Sequence, residues 1–226
     1  MSRLPLGVLI SGSGTNLQSI IDSINRGSLK AKINIVISNK KDAHGLIRAE
    51  KEGIPTAYIP HSPYPSREAH EEEILKELKR YGVEVVILAG YMRLVTGHFV
   101  SKYPWRILNI HPALLPSFKG TDAQKRAHEY GVKISGATVH FVDEEMDHGP
   151  IIIQGAIPLS SFEDVQQVSE RILRIEHRIY PQAIQWLAQG RLKIEKNRVM
   201  VEGEGPPADI SDIMPCLINP PLEKGF

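Results

Sequence analysis

The sequence is organised around the stretch Leu108-Asn109-Ile110-His111-Pro112-Ala113-Leu114-Leu115-Pro116. The residues just before it, Arg106-Ile107-Leu108, predict a short buried strand. Asn109 and His111 follow at alternate positions, so both side chains leave the strand on one face. Pro112 and Pro116 end the strand and stiffen the chain that follows. Because open α/β sheets place their chemistry at the carboxyl ends of strands, this stretch is the first candidate site.

Apolar runs and helical patterns alternate before this strand. Strand-like runs lie at 6–10, 33–38, 56–59 and 83–89, and helical patterns follow them at 17–24, 44–52, 67–81 and 96–103. Such alternation predicts an α/β fold, a doubly wound, mostly parallel central sheet with helices on both faces.

The pattern changes after the central stretch. We expect a helix at 120–130, two strands at 137–142 and 151–154 that pair as antiparallel neighbours, and a long helix at 162–189. Pro181 should kink or break that helix. A small C-terminal hairpin is predicted at 191–202, and the Pro-rich residues 204–226 are predicted to form a loosely ordered tail.

Composition limits the class of protein. The chain has 226 residues, 42% of them apolar, which suits one domain with a sizeable core. Its 27 Lys and Arg balance 26 Asp and Glu, so no basic surface for nucleic acid is expected. Cys216 is the only cysteine, which excludes an intrachain disulfide. No signal peptide or membrane-spanning run is visible, and we expect a cytoplasmic protein.

A glycine loop, Gly12-Ser13-Gly14-Thr15-Asn16, joins the first strand to the first helix. Glycines let a backbone approach an anion, and the N–H groups at a helix start can bind it. Leu17 stands where the dinucleotide-binding motif G-x-G-x-x-G has its third glycine. The loop also lacks the lysine of the Walker A motif, which binds nucleoside triphosphates. The loop therefore suits a single phosphate, although a tight turn before a helix would look the same.

Three stretches and one further arginine could also carry chemistry. His111 could transfer a proton and Asn109 could stabilise an oxyanion, unless both are simply buried polar residues. The loop Asp143-Glu144-Glu145-Met146-Asp147-His148-Gly149-Pro150 could supply a carboxylate partner for His111, although a solvated acidic loop has the same composition. Apolar walls for a flat heterocycle could come from Gly90-Tyr91-Met92-Arg93-Leu94-Val95, which could equally be core packing. Arg67, at a helix start, could bind an anion or be solvated.

Seven segments, taken together, resemble the phosphoribosylglycinamide formyltransferases, a family of folate-dependent enzymes of purine synthesis. They occur in family order at 11–18, 66–68, 88–93, 108–116, 139–142, 147–150 and 176–177. The Asn-x-His-Pro-x-Leu-Leu-Pro stretch is typical of formyl-group enzymes that use folate. The Ser-Gly-x-Gly-x-Asn loop narrows the resemblance to the purine enzymes, and a Rossmann-like formyltransferase fold is implied.

The resemblance implies a role for each matching position. The catalytic residues would be Asn109, His111 and Asp147, and the ribonucleotide would be bound by Gly14, Thr15, Asn16 and Glu176. The folate site would comprise Arg67, Met92, Arg93, Leu94, Val95, Asn109, Asp143, Glu144, Glu145, Met146 and Asp147. Some members carry His at the position of Asp122, which leaves open whether Asp122 touches substrate.

The activity implied is formyl transfer from 10-formyltetrahydrofolate to the amine of 5-phosphoribosylglycinamide, without a metal ion. The partners would be these two small molecules, with no nucleic acid or membrane, and the protein would be a monomer or homodimer. One domain would cover 1–203, with a nucleotide-binding half at about 1–105 and a folate and catalytic half at about 106–203.

Three other classes of protein share part of this pattern. Methionyl-tRNA formyltransferases share the His-Pro-x-Leu-Leu-Pro stretch but carry an added RNA-binding domain, for which this chain has neither the length nor a basic patch. Formyltetrahydrofolate hydrolases have an extra regulatory domain before the catalytic one, whereas the first strand here begins near residue 6. A non-catalytic nucleotide-binding module would have no use for Asn109, His111 and Asp147.

Overall fold

The computed structural model describes residues 3–203 and 208–226, and its chain forms two compact units. The first unit extends to Asn109 and includes Val142–Glu144. The second comprises Ile110–Phe141 and the described residues from Glu145 to Phe226. The boundary thus falls inside the central strand, between Phe141 and Val142, and inside the acidic loop.

The first unit is a parallel sheet with helical connections. Its strands are β1 (Leu4–Ile10), β2 (Ala31–Ser38), β3 (Thr56–Tyr58), β4 (Val85–Leu88) and β5 (Ile107–His111), whose last two residues belong to the second unit. Its helices are α1 (Thr15–Asn25), α2 (His44–Lys51), α3 (Arg67–Arg80) and α4 (Gly97–Lys102). The strand order is β5-β4-β1-β2-β3, with every pair parallel. This confirms the predicted mostly parallel sheet.

The strand order explains where a ligand can reach this sheet. The chain passes from β1 outward to β2 and β3 and then returns to place β4 on the other side of β1. The connections after β1 and β4 therefore diverge, and this is the point at which doubly wound sheets bind ligands. Apolar residues buried on both faces hold the strands, among them Leu9, Ile37 and Val86.

The second unit contains antiparallel strands and a long helix. Its elements are α5 (Ala123–Tyr130), β6 (Ile134–Phe141), β7 (Ile151–Pro158), α6 (Val165–Ala188), the hairpin β8 (Leu192–Glu195) and β9 (Arg198–Val201), and β10 (Leu217–Asn219). The predicted antiparallel pairing of β6 with β7 and the predicted hairpin are both confirmed. Gly155 lets α6 pack closely on β7, because a Cβ there would lie 2.2 Å from the side chain of Ile175.

Two helix predictions were wrong in detail. Of the kink or break predicted at Pro181, the break is absent, because α6 continues through this residue as one helix. A proline inside a helix costs roughly 3 kcal/mol, and here the buried side chains on either side of it, such as Tyr180 and Ile184, offset that cost. α5 begins at Ala123 and not at Gly120. Gly120 and Asp122 both have positive φ, which a right-handed helix does not accommodate.

The prediction of a loosely ordered tail is wrong for residues 208–226, and residues 204–207 lie outside the described part of the chain. β10 pairs with β7, and Ile213, Ile218 and Leu222 are buried. Arg191 also forms an ion pair with Glu223 at 2.7 Å. Pro-rich composition indicated disorder, but prolines also lower the conformational entropy of the unfolded chain, so a few buried apolar residues suffice to order this segment.

Candidate active site

The glycine loop lies at the start of α1, as the sequence predicts. Gly14 is the N-cap residue, with a φ of 70°, and a Cβ there would lie 2.5 Å from the Cα of Gly45 in α2. Gly45 N also donates to the Gly12 carbonyl at 3.1 Å. Only glycine fits this contact, and it has no side chain with which to cap α1. The N-terminus of α1 therefore follows the loop directly, and a helix N-terminus is a position that favours anions.

Ser11 joins this loop to the segment after β4. Its N–H donates to the Gly90 carbonyl at 3.1 Å, and its Oγ accepts from the Met92 N–H at 2.9 Å. The same hydroxyl donates to Oδ1 of Asn39 at 2.6 Å. The structure thus brings together, within the first unit, the loop predicted to bind phosphate and the segment predicted to bind a flat ring.

The segment Met92–Val95 has the exposure expected of a binding surface. Met92 is 67% and Leu94 49% exposed, although both are apolar, whereas Val95 packs against the core. Arg93 is partly buried, and its positive charge is the main cause that lowers the pKa of His61 below its ordinary range. An apolar surface beside a fixed cation is suited to a ring that carries acidic groups.

A buried carboxylate fixes the far end of this segment. Glu71 of α3 is 3% exposed; Oε1 accepts from the Thr96 N–H at 2.8 Å, and Oε2 accepts from the Thr96 hydroxyl. From the acidic loop, Glu144 lies over Gly97, where an added Cβ would be 3.2 Å from its carboxyl carbon. Asp143 is partly buried in the same unit, and Arg67 is exposed at the first position of α3.

In the second unit, His111 lies beside Asp147. The His111 side chain is 5% exposed, and its Nδ1 is 3.4 Å from Oδ2 of Asp147. Its Nε2 is 2.9 Å from the carbonyl oxygen of Phe118, and Oδ2 of Asp147 accepts from the Gly120 N–H at 2.8 Å. The residues that precede α5 therefore contact both members of the pair.

These contacts give the two ring nitrogens of His111 different partners. A backbone carbonyl can only accept, so Nε2 carries a proton that it donates to Phe118. Nδ1 faces the carboxylate of Asp147. The ring therefore presents one N–H to a carbonyl and its other nitrogen to a carboxylate, in a site from which water is largely excluded.

The proline-rich chain after His111 is held by one hydroxyl. Thr138 of β6 donates from Oγ1 to the Ala113 carbonyl at 2.7 Å and accepts from the Leu115 N–H at 3.1 Å. Gln154 of β7 donates to the same Oγ1 at 2.9 Å and to the Leu115 carbonyl at 3.0 Å. These bonds fix the course of the chain on the carboxyl side of His111.

The remaining predicted residues of the second unit lie on two elements. Glu176 is 5% exposed on α6, one residue after the Ile175 that packs on β7. Glu145 and Met146 are exposed in the acidic loop, and the sulphur-methyl end of Met146 approaches Gly120. Asp147 has a φ of 48°, a left-handed conformation that is uncommon outside glycine and is typical of functional sites.

Sequence reasoning missed two residues at these sites. Nε2 of His140, a histidine that is 2% exposed on β6, lies 3.8 Å from Oδ1 of Asp147, so the carboxylate has an imidazole on each side. Arg48 of α2 donates from Nε to the Ser13 carbonyl at 2.9 Å and places a positive charge beside the glycine loop. Arg48 belongs to no local motif, and His140 lies in the matching segment 139–142 but was given no role there. Only the pairing of distant elements brings each one to its site.

The groups that could bind a metal ion are few. Within residues 3–203 and 208–226, no three His, Cys, Asp or Glu side chains are close enough together to hold one. Over the same residues, no helix is long and apolar enough to cross a membrane.

Comparison with known proteins gives a consistent result. Residues 6–184 match the model of a family described as formyl transferase. The phosphoribosylglycinamide formyltransferase of Escherichia coli K12 is 43% identical over 197 residues, which cover 87% of this chain and 93% of that protein. The trifunctional purine biosynthetic protein adenosine-3 of Gallus gallus is 45% identical over 193 residues, 85% of this chain but only 19% of that much longer protein.

A solved structure extends the likeness to three dimensions. The crystal structure of glycinamide ribonucleotide transformylase 1 from Symbiobacterium toebii superposes with a TM-score of 0.86 at 49% identity. The match covers 88% of this chain and 94% of that one. The predicted Rossmann-like formyltransferase fold is thereby confirmed for most of the chain.

Proposed function

Since the chain belongs to the formyl transferase family, we propose that it catalyses transfer of a formyl group from 10-formyltetrahydrofolate to the amine of 5-phosphoribosylglycinamide. The product is formylglycinamide ribonucleotide, an intermediate of purine biosynthesis. Relatives that bear the name of this activity match the chain over nearly their full length, which supports the proposal. The trifunctional relatives, of which the chain spans about a fifth, carry purine biosynthesis in their name.

The proposed reaction is direct acyl transfer. The amine nitrogen of the nucleotide attacks the formyl carbon, and a tetrahedral intermediate with a negatively charged oxygen forms. The intermediate collapses as the bond from carbon to N10 of the folate breaks. The amine nitrogen loses one proton and N10 gains one, so protons and charge balance without a covalent enzyme intermediate, and this chemistry needs no metal ion.

We assign the stabilisation of the oxyanion to His111. Its Nε2–H is oriented by the Phe118 carbonyl, and the ring so oriented would stabilise the developing oxyanion. Asp147 would hold the ring in its charged form and orient it. Asn109 is proposed as a second donor to the same oxygen, on the strength of the family pattern alone. His111 or a water molecule would move the proton from the amine to N10.

The nucleotide is assigned to the glycine loop. The backbone amides at Gly14, Thr15 and Asn16 would hold its phosphate at the start of α1, where the helix dipole favours negative charge. Arg48 adds a positive charge beside that loop through its bond to the Ser13 carbonyl. Glu176 is proposed to bind the glycinamide part of the nucleotide.

The folate is assigned to the segment after β4 and to the acidic loop. Met92, Leu94 and Val95 would supply apolar contacts for the ring, with Arg67 and Arg93 available to its acidic groups. Asp143, Glu144, Glu145, Met146 and Asp147 would complete that site. We further propose that the protein acts in the cytoplasm as a monomer or homodimer, with these two small molecules as its partners and without nucleic acid or membrane.

The observation that carries the assignment is the buried contact of His111 with Asp147 in a chain of this family. Purified protein should release tetrahydrofolate from 10-formyltetrahydrofolate, followed by absorbance, only when 5-phosphoribosylglycinamide is present. Equal release without the nucleotide would identify a hydrolase. Absence of release when both substrates bind would contradict the proposal.

A further inference from the structure

Arg126 contacts the backbone of the segment 118–122, which precedes α5 and which we call the pre-α5 turn. Its Nη2 donates to the Phe118 carbonyl at 3.1 Å and also to the Lys119 carbonyl, and its Nε donates to the Thr121 carbonyl at 3.2 Å. A guanidinium offers donors in a rigid planar fork, which suits several acceptors at fixed positions. One side chain therefore sets the direction of three carbonyls.

The pre-α5 turn is also the structure that contacts the proposed catalytic pair. The Phe118 carbonyl accepts from Nε2 of His111 at 2.9 Å, so this oxygen is shared between His111 and Arg126. Two residues later, the Gly120 N–H donates to Asp147 at 2.8 Å. Any rotation of the peptide after Phe118 would move the acceptor that orients the His111 ring.

The backbone of this turn has conformations that need support. Phe118 and Asp122 have φ values of 54° and 55°, in the left-handed region, which is strained for a residue other than glycine and persists only where the surroundings enforce it. Arg126 lies in the first turn and a half of α5 and therefore reaches back over the turn. The charge-assisted bonds to its carbonyls are of the strength needed to hold such a backbone.

α5 itself is fixed to the rest of the second unit. Ser169 of α6 contacts Oε1 of Gln124 at 2.8 Å, and Nε2 of His128 donates to the Glu163 carbonyl at 2.8 Å. The Phe118 ring packs edge-on against Tyr130, with 6.0 Å between ring centroids. Arg126 thus projects from a helix held at both ends and provides a rigid reference for the pre-α5 turn.

We propose that Arg126 is a positioning residue for formyl transfer: through the Phe118 carbonyl it sets the orientation of the His111 ring. The expected effect of Arg126 on turnover rests on the proposed function, whereas its expected effect on the orientation of His111 does not. It assigns a role in the reaction to an exposed arginine that touches neither substrate in the proposed scheme.

The test uses Arg126→Gln and Arg126→Lys in the full-length protein. Gln removes the charge and the fork, whereas Lys keeps the charge but has a single donor centre that cannot span three carbonyls. Both should lower kcat about tenfold while the KM for each substrate stays within about twofold, because orientation and not binding is lost. Lys125→Gln is the matched control, since this exposed neighbour pairs only loosely with Glu129 at 3.8 Å.

A second readout is independent of turnover. In ¹⁵N-histidine-labelled protein without substrates, with the His111 signal assigned through His111→Gln, the Nε2 resonance should move in both Arg126 variants and stay in Lys125→Gln. An unmoved resonance or an unchanged kcat would overturn the inference. A fall in kcat that is accompanied by a fall in Tm of more than about 5 °C would also overturn the inference, because Arg126 would then only stabilise the fold. If the unaltered protein transfers no formyl group, the proposed function fails, and the resonance still tests the positioning.

Discussion

His111 and Asp147 meet with Nδ1 and Oδ2 3.4 Å apart, in surroundings where the two side chains are 5% and 12% exposed. The contact joins the last residue of β5 to Asp147, whose backbone has the left-handed conformation. The Gly120 N–H donates a hydrogen bond to the same carboxylate. Because so little water reaches the pair, the electrostatic interaction between the carboxylate and the imidazole is screened less than it would be at the protein surface. A carboxylate so placed can orient the ring and interact with it electrostatically.

Asp147→Asn tests this electrostatic role. The amide keeps the shape and the acceptor for the Gly120 N–H but removes the negative charge that attracts a proton to Nδ1 of His111. We expect kcat to fall about 100-fold or more, with smaller changes in either KM, as for general acid–base groups. Glu170→Gln, which neutralises an exposed carboxylate on α6, should leave kcat unchanged. A loss confined to KM would mean that Asp147 serves binding alone.

Gly14→Ala tests the close approach of the glycine loop to α2. The new Cβ would lie 2.5 Å from the Cα of Gly45, where no side chain can move aside, at a φ of +70°. We expect the KM for the nucleotide to rise at least about tenfold and unfolding to require about 1–3 kcal/mol less. Gly53→Ala is the matched control: its φ is +67° but nothing lies within 4 Å of the added Cβ.

The comparison separates strain from contact. Thermal unfolding of both variants measures the cost of the left-handed conformation in Gly53→Ala and that cost plus the clash in Gly14→Ala. Equal destabilisation, with an unchanged KM for the nucleotide, would show that the contact with α2 is not needed for phosphate binding.

Arg93→Gln should change the titration of His61. The positive charge of Arg93 disfavours the imidazolium and is the largest cause that lowers the pKa of His61 from its ordinary value of 6.5. Removing that charge should raise the pKa, so that a larger fraction of His61 is protonated at pH 6. An NMR pH titration of the His61 ring measures this directly, with Lys79→Gln as a control on α3. A titration curve that does not move would place Arg93 farther from His61 than the structure does.

The sequence predicted most of the parallel sheet because each of its strands is a continuous apolar run followed by a helical pattern. The glycine loop and the strand end at Asn109 and His111 were identified in the same way, as local motifs at strand ends. Asp147 as a partner of His111 could be proposed only because a polar loop followed the next strand, and the family resemblance then singled it out.

Other features depend on contacts between segments far apart in the chain. Nothing local marks His140 as a neighbour of Asp147 or Arg48 as a neighbour of the glycine loop, since β6 and α2 supply them by packing. The continuation of α6 through Pro181 and the order of residues 208–226 were mispredicted for a related reason. In both places the local sequence disfavours ordered structure. The burial of apolar side chains, which cannot be read from the sequence, outweighs that preference.

The most direct test of this account is the effect of His111→Ala on turnover and on folate binding. If the His111 side chain stabilises the oxyanion, kcat for formyl transfer to 5-phosphoribosylglycinamide should fall about 100- to 1,000-fold, because that charge exists only on the way through the intermediate. The Kd for the folate, measured by fluorescence titration, should stay within about threefold. If instead the variant binds the folate more weakly and its kcat is unchanged, the account is contradicted and His111 is a structural residue.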